Sequence, residues 1–172
     1  MRICLASLLL LLVMESPKCV LSQSTRSGTP VPTSVTISAA LTVVKTGSEA
    51  KISVILTNLS DQEMFVAWGQ GNRGEFDYKI NVLDRNGHEP IETKYFQAVQ
   101  GKVSDDPSET TALVISRSPG RRQVEAGGKL TDSIYLDRLF DLKPGKYTVQ
   151  VEHIDDSHKT VKSNTLTMTV TP

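Results

Sequence analysis

Cysteine is nearly missing from this 172-residue chain, and the two present, Cys4 and Cys19, both fall within its first 22 residues. Should that segment be removed, neither a disulfide nor thiol chemistry remains, and the fold must be held by an apolar core. Histidine is scarce too: His88, His153 and His158 all sit in turn-like stretches. No Gly-x-Ser-x-Gly, His-Glu-x-x-His, P-loop or Gly-x-Gly-x-x-Gly pattern occurs, so nothing supplies a nucleophile, a base and an orienter together. No enzyme and no cofactor is expected. An excess of one charge is also absent, with 19 basic and 19 acidic residues, which argues against a nucleic-acid partner. Beyond Met14 no apolar run is long enough to span a membrane.

What is present begins with Arg2 and an apolar run from Ile3 to Met14, followed by Glu15-Ser16-Pro17-Lys18. A short basic start and an apolar stretch of this length form a secretory signal, too short for a transmembrane helix. Val20 and Ser22 suit the −3 and −1 positions, so cleavage is expected after residue 22 with Gln23 as the new terminus. Cys19 as a lipidated residue is the alternative, disfavoured by Ser16-Pro17-Lys18 before it. Removing Arg2, Glu15 and Lys18 with the signal leaves 17 basic and 18 acidic residues. The expected product is secreted, periplasmic or extracellular. Residues 23–34, polar and broken by Pro30 and Pro32, read as a flexible leader, and residues 35–172 as one domain. A domain of this size buries roughly two-thirds of its unfolded surface without staples.

Alternation of apolar and polar residues marks the strands. Val35 to Val43, Lys51 to Asn58, Met64 to Trp68, Phe76 to Val82, Ala112 to Ser116, Lys129 to Leu136, Tyr147 to Val151 and Val161 to Val170 all read so. Ile91 to Phe96 reads as a returning partner strand. Asp84-Arg85-Asn86-Gly87 is a type I′ hairpin signal, and Asn58-Leu59-Ser60 a turn that doubles as a glycosylation sequon in a eukaryotic source. Leu142-Lys143-Pro144-Gly145-Lys146-Tyr147 reads as a turn, with Pro144 presetting φ and Gly145 accepting φ > 0, leading into a strand whose first inward residue is Tyr147. About seven to nine short strands without a helical period predict an all-β, antiparallel sandwich.

Tyr147 just after that turn resembles the tyrosine corner of immunoglobulin-like and fibronectin-like sandwiches, and Trp68 resembles their core tryptophan. The immunoglobulin-like resemblance covers residues 35–171 and implies architecture alone, since the inter-sheet cysteines are missing. A narrower resemblance, to the intracellular proteinase inhibitor (BsuPI-like) domain, rests on residues 52–61 and 76–87. It implies protease inhibition. Arg121 and Arg122, beside Ser118-Pro119-Gly120, would then present a basic side chain to a trypsin-like pocket.

His153, Asp155, Asp156 and His158 gather metal-ligating groups in six residues. Their spacing matches no zinc pattern, and a polar hairpin tip accounts for them. Asp84 opens no calcium loop, because no downstream Glu completes it. The expected function is a non-catalytic binding or structural module that engages a protein or cell-surface ligand. The stretches 69–74, 97–111 and 119–122 are the expected contact loops, with inhibition and metal binding as alternatives.

Overall fold

The computed structural model describes residues 32–68, 75, 77–100, 102, 120–155 and 158–172, the side chains of 67, 68 and 99 excepted. Readings that fall on residues 69–74, 103–119 and the leader before residue 32 lie outside it. The chain is all-β. Its strands are β1 (Thr33–Ser38), β2 (Val43–Lys45), β3 (Lys51–Asn58), β4 (Met64–Trp68), β5 (Lys79–Asp84), β6 (Gly120–Val124), β7 (Lys129–Tyr135), β8 (Gly145–Ile154), β9 (Thr160–Lys162) and β10 (Leu166–Thr171). Among the described residues two short helices accompany them, α1 (Lys94–Val99) and the single turn α2 (Leu136–Leu139).

One sheet has the order β1-β3-β7, and a second runs β2-β10-β8-β5 with β9 also on β8. Their inward residues merge in one core: Val35, Ile52, Val54, Leu56 and Ile134 from the first, Ile80, Val82, Val149, Val151 and Met168 from the second. The alternation that marked these strands in the sequence is the alternation of buried and exposed side chains along β3 and β8.

The expected single strand over 35–43 is in fact two. β1 pairs antiparallel with β3, whereas β2 pairs in parallel with β10, so the chain crosses between sheets around residues 39–42. The crossing shifts the alternation by one residue: Val35 and Ile37 are buried, Val43 is 58% exposed, and Val44 is buried instead. The strand expected over 91–96 is corrected as well. Ile91 lies 72% exposed, and Thr93 caps α1, its Oγ1 accepting from the Phe96 amide at 3.2 Å. Phe96 then packs edge-on to Phe140, ring centroids 5.1 Å apart.

The β3–β7 ladder bends rather than ends. Its last pair is Thr57 with Lys129, pairing resumes as β4 on β6 at Met64 with Val124, and Asn58 fills the corner. The Asn58 side chain is wholly buried; its amide donates to the carbonyls of Gln62, Val124 and Glu125 at 2.7, 3.1 and 3.0 Å. Its Oδ1 accepts from the Ser60 amide and hydroxyl. The sequon asparagine therefore works as a turn residue, with its amide closed to modification. Gly128 makes the facing turn possible, because a Cβ there would meet the Glu125 carbonyl at 2.8 Å.

Tyr147 is buried, and its hydroxyl donates to the Lys143 carbonyl at 2.8 Å, four residues upstream. Gly145 does not use the left-handed freedom expected of it; it opens β8, and among the described residues the positive-φ glycines are Gly47, Gly87 and Gly127. The Asp84 hairpin also differs from type I′, which needs two successive positive φ values. Only Gly87 has one (φ 80), and the paired bonds Gly87 N–H to Asp84 O and Asp84 N–H to His88 O form a type I turn with a bulge. The Asp84 carboxylate accepts from the His88 and Asn86 amides, which hold it below the usual carboxylate range.

The β8–β9 hairpin repeats this geometry, with His158 (φ 61) where Gly87 stands. A side chain there is strained by about 1 kcal/mol. His158→Gly is therefore expected to raise stability by about 0.5–1 kcal/mol, read as a higher urea midpoint at unchanged m. The same melt with zinc tests the metal reading: ligation through His158 would raise the wild-type midpoint alone. No such shift is expected.

Candidate functional site

Toward the end of β8 the inward positions turn polar. The Lys79–Glu152 pairing sets Tyr78 opposite His153, with ring centroids 5.8 Å apart and planes tilted by 56°. Facing them from the first sheet is Asp132, which pairs with Val54 in β7 and points inward as Ile134 does. The Tyr78 hydroxyl donates to Asp132 Oδ2 at 3.1 Å, and Arg122 Nη1 approaches Oδ1 at 3.6 Å. Burial pushes the Tyr78 hydroxyl far above its ordinary value, with the Asp132 charge adding to it. Burial also raises the Asp132 carboxyl, against the Tyr78 hydrogen bond and the Arg122 charge. This centre joins the two sheets through polar groups, and with Asp132 only 2% exposed it presents no carboxylate to a substrate.

The predicted site residues are dispersed. His153 is buried beside Tyr78, whereas His158 is exposed at the hairpin tip. Asp155 Oδ1 accepts from the Lys159 amide, and Asp156 lies outside the described residues. Among the described residues no three His, Cys, Asp or Glu converge. Arg121 and Arg122 belong to β6 rather than to a loop, paired with Ala67 and Val66. Arg121 is exposed, while Arg122 is drawn to the buried Asp132. Trp68 ends β4, which pairs with β6, and its indole is outside the description.

The sequence signal for the Tyr78–Asp132 centre is Asp132 itself, a charged residue that interrupts the apolar face shared by Leu130, Ile134 and Leu136. On the outer face Glu152 lies between Lys162 and Lys79, at 3.2 and 3.5 Å, and the Lys162 bond leads in lowering its carboxyl. Among the described residues, two of the clefts flank the core. One of about 330 Å³ lies between the 45–48 turn and residues 137–142. The other, about 540 Å³, runs along β5 beside α1.

No family model matches the chain, and no curated protein matches it. Among solved structures it is similar to a β-glucosidase from Listeria innocua in complex with glucose, at 12% identity and TM-score 0.42, covering 83% of this chain and 16% of that one. It is also similar to the Pseudomonas fluorescens alkylpurine DNA glycosylase AlkC bound to DNA containing an abasic site analog, at 12% identity and TM-score 0.38, covering 80% and 30%. The chain thus spans only a small part of either protein.

Proposed function

We propose that this chain is an exported, non-catalytic module with an immunoglobulin-like sandwich, which binds a protein or cell-surface ligand. The observation that carries the reading is how the buried polar groups at three places in the fold are used. Asn58, Asp132 with Tyr78, and the Tyr147 hydroxyl each tie one backbone stretch or sheet to another. Polar groups so committed stabilise a scaffold and are closed to reactants. The immunoglobulin-like order is supported by the division of the first strand between sheets and by the tyrosine that begins β8. Export rests on the first 22 residues alone.

The test is to label the protein secreted by its own host and titrate it onto those cells. Saturable binding, competed by unlabelled protein and without turnover of ester, peptide or glycoside substrates, is the expected result, with a mass that begins at Gln23. Turnover that copurifies with the protein, or binding that never saturates, overturns the reading.

A further inference from the structure

Four successive residues of β5, Lys79 to Val82, line the larger cleft. Side chains of successive strand residues point to opposite faces, so only a groove along the strand's edge touches all four. Among the described residues that edge has no strand partner: β5 ends its sheet and pairs with β8. An open edge carries backbone N–H and C=O groups aimed outward, ready to pair with another strand.

The groove also has a sign. Among the described residues Glu75, Asp77, Glu89, Glu92 and Glu152 line it, with Lys79 as the one cation. Glu92 is already engaged by Gln100 and Lys102, and Glu152 by Lys79 and Lys162. Glu75 differs. It is 6% exposed, its Oε1 accepts from the Tyr95 hydroxyl at 2.8 Å, and its buried Oε2 has no hydrogen-bond partner. A buried carboxyl oxygen left without a donor is costly, and a donor arriving with a ligand would relieve it.

We propose that the open edge of β5 takes up an extended basic peptide as an added strand, with one Lys or Arg side chain reaching Glu75 Oε2. Backbone pairing with β5 supplies the register, and alternate side chains of the peptide fall toward the acidic wall. The carboxyl groups favour a cationic segment and reject an acidic one. This deepens the binding-module reading and rests on it.

The probe is a fluorescent alternating Lys-Val nonapeptide, titrated onto the purified protein by anisotropy. Its Glu-Val counterpart and a version N-methylated at alternate residues serve as controls. The basic peptide is expected to bind at least about tenfold more tightly than either control, because a charge-assisted bond or the ladder is lost in each. Glu75→Gln is expected to weaken it about tenfold. Should that variant fail to fold by circular dichroism, Glu89→Gln on the exposed rim is expected to weaken it about twofold to threefold. Equal binding of the N-methylated peptide rules out strand addition. Equal binding of the acidic peptide, or displacement of the basic one by millimolar calcium or zinc, rules out the peptide and leaves a simple cation site. A peptide that fails while saturable binding to cells persists sinks this inference alone; loss of the cell binding sinks the module reading.

Discussion

Replacing Asn58 by alanine is expected to cost about 3 kcal/mol of unfolding free energy. The side chain is completely buried and joins both sides of the corner, its amide bonding Gln62 on one connection and Val124 and Glu125 on the other. Alanine removes those bonds, the Ser60 contacts to Oδ1, and the volume that fills the bend. Asn58→Asp is a sharper test because it keeps the shape. An ionised carboxylate would face three carbonyl oxygens, so the introduced carboxyl must hold a proton to donate, and its folded value rises above its unfolded one. Stability of that variant is then greatest at acid pH and lost as pH rises through the folded value. Urea melts at pH 4 and pH 7 should show a deficit that grows with pH for Asn58→Asp and stays constant for Asn58→Ala. A loss below about 1 kcal/mol in both would mean that the corner is held by its backbone ladders instead.

Which parts of this fold could be read from the chain follows from which interactions are local. The alternation in Lys51–Asn58 and Gly145–Ile154 is a property of neighbouring residues, and both strands stand where the pattern put them. The Tyr147 hydroxyl finds its acceptor four residues away, again within reach of a local motif. The misreadings arose where a distant partner decides. Val35 to Val43 looks continuous because nothing nearby states that β2 will leave β3 for β10. Ile91 to Phe96 carries strand-like residues, yet Thr93 as a cap and Phe140 as a packing partner draw it into a helix. Arg122 read as a loop cation because its strand partner Val66 and its ion-pair partner Asp132 are both distant in sequence.

The candidate sites divide along the same line. The His153–His158 cluster was conspicuous because its members are adjacent in sequence, but a strand sends alternate side chains to opposite faces, and His153 went inward to Tyr78. The groove beside β5 was invisible for the opposite reason. Its walls come from Glu75, residues 77–82, Glu89, Glu92, Phe96, Gln100, Phe140 and the end of β8, which only the fold assembles.

Asp132→Ala is expected to cost about 3–5 kcal/mol, because it leaves the buried Tyr78 hydroxyl without its acceptor and takes the counter-charge from Arg122. The size of that loss reflects the partners left behind rather than the worth of the cluster. Replacing both members of the hydrogen bond by apolar groups, Tyr78→Phe with Asp132→Leu, should therefore return to within about 1–2 kcal/mol of wild type, since Arg122 keeps 26% of its side chain in water. The double-mutant cycle would then be strongly non-additive. Charge itself is separated by Asp132→Asn, whose carbonyl can still accept from Tyr78. In the wild type burial raises the Asp132 carboxyl above its unfolded value, so the folded state holds the proton more tightly. The stability this contributes is complete below the unfolded value and is lost as pH rises through the folded one. Asp132→Asn removes that limb, so its stability relative to wild type should improve between the ordinary carboxylate range and neutral pH. A relative stability that instead falls with pH would mean that the Arg122 charge outweighs burial, and that the centre is held together as an ion pair.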